Sequence, residues 1–166
     1  AASDLYQTQV LQDEPVEDFC RTWNPPGSPY QEAPAGTAII RFAGGVMVTY
    51  QGNWVSTGKP TYWAGDWRIE CDEGEIAWTS RAGGAFGPKR DRLIIKQPKR
   101  RAERIPLQPD ALTGRAAGLR AFARAIESGE LSPFASTARD NLGSIRLMEA
   151  MVRSAELGEP IHPPTD

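Results

Sequence analysis

Two stretches of the chain alternate strictly between apolar and polar positions. Residues 37–42 and 46–54 do so on either side of Gly44-Gly45, and a period of two around a glycine pair predicts a β-hairpin. Ala38, Ile40 and Phe42 then share one face, opposite Thr37, Ile39 and Arg41. On the returning strand Val46, Val48, Tyr50 and Trp54 share a face, with Met47, Thr49, Gln51 and Asn53 on the other. Trp67, Ile69 and Cys71 alternate with Asp66, Arg68 and Glu70. After Asp72-Glu73-Gly74, Ile76 and Trp78 alternate with Glu75, Ala77 and Thr79, which predicts a second hairpin. Further strands are expected over 15–19, 91–96 and, briefly, 105–107. Before them, residues 3–11 can open the chain as a helix capped by Ser3 and stopped at Asp13-Glu14-Pro15. Asn24-Pro25-Pro26-Gly27-Ser28-Pro29 is a loop, because its prolines supply no donor to either a ladder or a helix.

From Asp110 the period lengthens. Leu112, Leu119, Phe122 and Ile126 fall on one helical stripe ended by Gly129, although Gly114 and Gly118 weaken the helix by roughly 1 kcal/mol each relative to Ala. A second helix is expected after Ser136, with Ile145, Met148, Val152 and Ala155 as its apolar stripe and Gly158 and Pro160 at its end. Strands followed by helices, without β–α–β alternation, predict an α+β fold: an open-faced, mostly antiparallel sheet with helices packed on one face. The other face, with Thr49, Gln51, Asn53, Arg68, Glu70 and Thr79, is polar. One domain over residues 1–160 and a tail over 161–166 account for the chain.

The composition narrows the chemistry. The 166 residues carry a net charge of −2, which gives no general affinity for nucleic acid. No apolar run approaches the roughly 20 residues of a membrane span, so no membrane partner is expected. Two cysteines are too few for a disulfide framework or a zinc cluster and fit a reducing cytoplasm. Cys20 and Cys71 read as core thiols. The single histidine, His162, reads as a solvated tail residue, and no nucleophile–base pair can be assembled around it. No metal-ligand spacing occurs. Gly83-Gly84-Ala85-Phe86-Gly87 leads toward a strand and not a helix, so it reads as a turn and not a phosphate cradle. The basic run Lys89, Arg90, Arg92, Lys96, Lys99, Arg100, Arg101 and Arg104 lacks interleaved aromatics and reads as a solvated strand and loop. Asp66 and Glu70 share a strand face, but nothing else supports a paired-carboxylate hydrolase. The aromatic residues Tyr50, Trp54, Tyr62, Trp63, Trp67 and Trp78 crowd into one stretch. Trp67 and Trp78 fit a sheet core, while for Tyr62 and Trp63, in a loop, binding and packing both stay open.

Several segments, in order, resemble one family. Leu119-Arg120-Ala121-Phe122-Ala123-Arg124-Ala125-Ile126-Glu127-Ser128-Gly129 is similar to the L-x-x-F-x-x-A-I-x-x-G helix of the glucose–fructose oxidoreductase / inositol dehydrogenase / MocA (Gfo/Idh/MocA) family. Ser136 followed by Asp140-Asn141-Leu142 resembles the start of its next helix, and Ala150, Ser154-Ala155 and Gly158 resemble that helix's end. Phe42-Ala43-Gly44-Gly45-Val46 with Asn53-Trp54, and Trp67-Arg68-Ile69 with Gly74-Glu75-Ile76, resemble its two hairpins.

The resemblance implies the C-terminal domain of an NAD(P)-dependent oxidoreductase acting on a sugar, polyol or related compound. The family's glycine-rich nucleotide fingerprint, its Glu-Lys-Pro motif and its downstream Asp/His pair do not occur here. The family histidine lies three residues before an aspartate like Asp4, where this chain has Ala1. It follows that NAD or NADP belongs to a full-length parent, that no cofactor is expected on this chain alone, and that the chain holds no catalytic residue. The sheet would line the substrate side of the cleft, with Trp23, Asn24, Tyr62 and Trp63 as substrate-binding candidates, and its open face would form a homo-oligomer. A stand-alone binding or scaffold module is the alternative. The chain opens Ala-Ala-Ser-Asp without Met, so it reads as processed or as a piece of a longer protein.

Overall fold

The computed structural model describes residues 11, 13–58, 61, 65–79, 91–107, 114–131 and 137–164. The fold is α+β: the described residues form two open antiparallel sheets and two long helices. It divides into two compact units, one from Ala1–Gly58 with Ser136–Asp166 and one from Lys59–Ala135.

The first unit holds β1 (Pro15–Trp23), β2 (Ala35–Phe42) and β3 (Met47–Asn53), in that spatial order. The hairpin at Gly44-Gly45 is as expected, closed by Phe42 N–H to the Val46 carbonyl at 2.9 Å. Asp13 steadies its tip, accepting from Gly44 N–H at 2.9 Å. β1 runs four residues past the expected 19. β2 begins at Ala35 and therefore offers partners to Arg21, Thr22 and Trp23.

Register fixes which side chains meet. Asp18, Ile40 and Val48 lie in one cross-strand row and Cys20, Ala38 and Tyr50 in the next. Helix α2 (Ala138–Leu157) packs over that face, with Leu147 against Cys20, Ala38, Ile40 and Phe42. Phe42 is fully buried, which contributes about 2–3 kcal/mol.

The stripe that α2 buries differs from the expected one. Leu147, Ala150 and Ser154 are buried, Met151 and Ala155 pack beside them, and Ile145 and Val152 are exposed. The helix is turned so that small residues face β1, because Ala150, Ser154 and Ala155 allow a close approach that bulkier residues prevent.

Close approach also lets one hydroxyl bridge three segments. Ser154 Oγ accepts from Cys20 N–H at 2.9 Å and donates to the Glu159 carbonyl at 2.7 Å. Beyond α2 the chain turns at Gly158, whose φ of 78° suits a glycine helix stop. It then runs along the free edge of β1. Asp18 and Ile161 exchange two backbone bonds of 2.8 Å, Arg21 Nη2 donates to the Gly158 carbonyl at 3.0 Å, and His162 Nδ1 lies 2.8 Å from the Val16 carbonyl. His162 is exposed, as expected, but its ring is tied to β1.

The second unit holds β4 (Asp66–Cys71), β5 (Gly74–Thr79), β6 (Arg92–Lys96) and β7 (Glu103–Ile105), paired in that order. One face carries Trp67, Ile69, Ile76, Trp78, Leu93, Ile95 and Ile105. Trp67 and Trp78, directly opposite each other, stack at 5.5 Å, consistent with their reading as sheet residues. The opposite face carries Asp66, Arg68, Glu70, Glu75, Arg92, Lys96 and Arg104. Cys71 departs from expectation. It ends β4 opposite Gly74, where no side chain can cover it, and it is exposed. Helix α1 (Gly114–Ser128) shows Leu119, Phe122 and Ile126 on one stripe, as expected. They are 70%, 65% and 69% exposed, whereas a helix covering a sheet face would bury them. Leu112, the helix expected over 3–11 (Leu11 aside), and the loop over 83–88 lie outside the described residues.

These packing geometries make stability testable at three positions. Replacing Ser154 with Ala leaves the Cys20 amide buried without an acceptor. Urea unfolding should show a loss of about 1–3 kcal/mol, against little change for Ser128→Ala on exposed α1. At Gly74, φ is 153° and an added Cβ meets the Lys96 carbonyl, so Gly74→Ala should lose about 1–3 kcal/mol. Gly118 lies inside α1 with open space around it, and Gly118→Ala should hold or raise stability by up to about 1 kcal/mol.

Candidate functional site

Polar and aromatic groups gather where β1 ends, β2 begins and β3 ends. Trp23, Ala35 and Asn53 form the last cross-strand row of the first sheet. The Pro-rich loop between β1 and β2 keeps its shape through its own side chains. Asn24 Nδ2 donates to the Tyr30 carbonyl at 2.9 Å, and Ser28 Oγ accepts from Tyr30 N–H at 3.1 Å. Trp54 N–H donates to the Pro34 carbonyl at 3.1 Å, which ties β3's exit to the same loop.

Held in this way, Trp23, Tyr30 and Trp54 are 41%, 48% and 55% exposed. Flat, half-exposed rings beside amides suit ring faces of sugars and other polyhydroxylated molecules, which stack their C–H surface while hydroxyls find polar partners. Asn24 commits its N–H₂ to the loop and keeps an exposed carbonyl oxygen as acceptor. Two of the four sequence candidates, Trp23 and Asn24, are therefore neighbours at one end of β1. Tyr62 and Trp63 lie outside the described residues. Tyr30 and Trp54 were not singled out as binding candidates. Their signal was an aromatic residue beside a proline-rich turn and one just past a strand end, where pairing cannot bury it.

Other arrangements do not make a reaction centre. Asp66 and Glu70 share a face of β4 as expected, but Arg68 stands between them, bridging to Glu70 at 3.0 Å and to Glu75 at 2.7 Å. No group of acids, cysteines and histidine that could hold a metal ion occurs among the described residues. In the basic run, Arg100 Nη1 donates to Gln97 Oε1 at 3.1 Å, and Lys99 occupies a turn at φ 61°. Lys96, Lys99, Arg100, Arg101 and Arg104 are exposed. The open groove on the outer side of α2, lined by Met148, Glu149, Val152, Arg153, Glu156 and Leu157, is built from one helix alone.

A nicotinamide dinucleotide does not fit the residues present. Such a cofactor rests its pyrophosphate on a helix N-terminus reached from a strand through a glycine-rich turn. Among the described residues every strand pairing is antiparallel, and the sequence holds no G-x-G-x-x-G.

One ionisable residue escaped sequence reasoning. Asp18 is fully buried on the β1 face beneath α2, and neither carboxyl oxygen has a hydrogen-bond partner among the described residues. Burial pushes its carboxyl up to about 6. Burial, and then the nearby Asp18 charge, push the Cys20 thiol up to about 11. The signal was an acid at an inward position of the alternation Val16, Asp18, Cys20.

No family model matches the chain. It is 26% identical over 146 residues to uncharacterized protein y4oX of Sinorhizobium fredii (strain NBRC 101917 / NGR234), spanning 86% of this chain and 39% of that protein. Among solved structures, aldose-aldose oxidoreductase from Caulobacter crescentus, complexed with glycerol, superposes with a TM-score of 0.74 at 15% identity. The match covers 94% of this chain and 43% of that one. An oxidoreductase from Agrobacterium radiobacter, in complex with NAD+, L-tartaric acid and magnesium, gives 0.70 at 18% identity, over 93% and 45%. The WlbA dehydrogenase from Bordetella pertussis, in complex with NADH and UDP-GlcNAcA, gives 0.64 at 19%, over 92% and 41%. The chain thus spans less than half the length of these proteins, and its fold is that of one part of such oxidoreductases, as the sequence resemblance implies.

The two thiols should react very differently. At pH 7.5 a maleimide should alkylate exposed Cys71 readily and leave Cys20 unlabelled until the protein is denatured, because Cys20 is both buried and almost wholly protonated. Peptide mass spectrometry reads the two sites separately. Equal labelling rates in the folded protein would contradict the packing of β1 beneath α2.

Proposed function

We propose that this chain is the C-terminal, substrate-side domain of an NAD(P)-dependent oxidoreductase of the Gfo/Idh/MocA family. The parent enzyme moves a hydride between a nicotinamide cofactor and a sugar, polyol or related hydroxylated compound in the cytoplasm. The supporting observation is the fold itself, which matches more than nine-tenths of this chain to under half of oxidoreductases solved with glycerol, tartaric acid or a nucleotide sugar. Because the residues here do not form a dinucleotide cradle, cofactor binding and hydride chemistry fall to residues outside this chain, and its own part is to bind and orient the substrate.

Trp23 and Asn24 are the described residues assigned to substrate, with Tyr62 and Trp63 assigned from sequence. Trp23 offers a ring face and Asn24 a carbonyl acceptor for a hydroxyl. The open face of the first sheet is assigned to contact with a second copy. It carries Phe19, Ile39 and Met47, with Ile39 and Met47 exposed, next to the Glu17–Arg41 pair at 3.3 Å. A mixed apolar and paired-charge surface of this kind can pack on itself across a two-fold axis.

The full-length protein, given NAD+ or NADP+ and a panel of aldoses, polyols, hydroxy acids and nucleotide sugars, should form reduced nicotinamide with at least one class. In that enzyme Trp23→Ala should raise KM about tenfold, a loss near 1.4 kcal/mol, with a smaller effect on kcat. Failure to bind either cofactor would overturn the oxidoreductase reading. Unchanged KM and kcat for Trp23→Ala, Asn24→Ala, Tyr62→Ala and Trp63→Ala alike would remove the substrate assignment and leave the fold assignment standing.

A further inference from the structure

We propose that Asp18 makes the C-terminal tail of this chain a proton-sensitive clasp, closed on β1 while the carboxyl keeps its proton and loosened when the proton leaves. Asp18 is 0% exposed, and both its carboxyl oxygens lack a partner among the described residues. An ionised carboxylate in that position has neither water nor a donor to stabilise it. The neutral acid is tolerated far better, so the buried arrangement and the proton stabilise each other.

Among the described residues no charged side chain bonds the Asp18 carboxyl. On β1 the neighbouring inward group is the Cys20 thiol, and Glu17 and Arg21 point to the opposite face. β2 presents Ala38, Ile40 and Phe42. From α2 come Leu147, Ala150, Met151, Ser154 and Ala155; Arg153 and Glu156 are exposed, Arg146 is half-buried beside Leu147 in sequence, and Glu149 lines the outer groove. Leu11 closes the cluster. In the tail Glu159 and His162 are exposed, and the ring of His162 is turned to the Val16 carbonyl. Burial is accordingly the one cause of the shift that brings Asp18 from its ordinary 3.8 to about 6.

When the proton leaves, the structure must let water in, and the tail lies at the edge of the first sheet, bridged to Asp18 itself. β2 and β3 are locked in a continuous ladder, and α2 is anchored by Leu147 in the core. The tail is held by the Asp18–Ile161 backbone pair, by contacts through Ser154, Arg21 and His162, and by the buried Pro163. Pro160, Pro163 and Pro164 deprive it of donors, so it cannot extend this pairing into a full strand. The bond partner of Ile161 is Asp18 itself, so admitting water at that carboxyl and releasing the tail are the same movement.

The direction follows from linkage. The carboxyl titrates near 3.8 when hydrated and near 6 when the clasp is shut. Closure is therefore strongest below about pH 4, weakens through pH 4 to 6 and levels off above. Between pH 4.5 and 7 the closing equilibrium should fall about twentyfold.

Hydrogen exchange on the full-length protein tests this, read by mass spectrometry on peptides covering 158–164 and 36–42 and corrected for intrinsic exchange at each pH. Protection of the tail peptide should fall about twentyfold from pH 4.5 to 7, while the β2 peptide stays level. Asp18→Asn should keep the tail protected at both pH values and abolish the dependence, with Asp18→Ala as the second variant should the amide not be accommodated. His162→Gln should retain the dependence. The proposal is overturned if tail protection does not change with pH. It is overturned equally if the β2 peptide loses protection in parallel, or if the dependence survives in both Asp18 variants or disappears in His162→Gln.

Discussion

The hydroxyl of Ser154 holds a strand, a helix and the chain end in one place. It accepts the Cys20 amide and donates to the Glu159 carbonyl, so α2 cannot shift along β1 without leaving the buried Cys20 amide unpaired. Everything else in the first unit depends on that approach. Small residues at Ala150 and Ala155 allow it, Leu147 fills the space above Ile40 and Phe42, and the chain beyond Gly158 is delivered to the edge of β1. An edge strand with unpaired backbone groups invites pairing with foreign chains. Here the protein's own tail takes up the edge at Asp18, and prolines end that pairing after one bridge.

Elements with strong local signals were legible in the sequence. The hairpin about Gly44-Gly45, the one about Asp72-Glu73-Gly74, and the two helices stand where periodicity and breakers put them, because alternation and glycine placement are local properties. Which face of a helix is buried was not legible in the same way. On α2 the bulky residues Ile145, Met148 and Val152 made one credible stripe, and the small residues around Ser154 made another. Only the distance of approach to β1, a tertiary quantity, selects the second. Cys71 shows the same limit, since its apolar alternation is real but its place at the hairpin end removes the neighbours that would bury it.

The candidate site was half legible. Trp23 and Asn24 adjoin in sequence, and their position at the strand end follows from the prolines behind them. Tyr30 and Trp54 reach the same end of the sheet through register and through the Pro34 carbonyl, neither of which the sequence displays. Asp18 was hidden because its position looks like any polar interruption of a strand until the strand is seen to be covered on that side.

Two places along β1 thus meet opposite physical demands. At Trp23 the strand enters a loop stiffened by prolines and by the Asn24 amide, which keeps aromatic rings exposed without letting them collapse onto the sheet. Preorganisation of that kind suits a surface that must meet a ligand, since less conformational entropy is lost on binding. At Asp18 the strand is covered and apolar, and a carboxyl there destabilises its ionised form. A leucine at that position would strengthen the core and remove any sensitivity to protons. A carboxyl instead ties the packing there to a proton, at the residue that also pairs with the tail and away from the aromatic end.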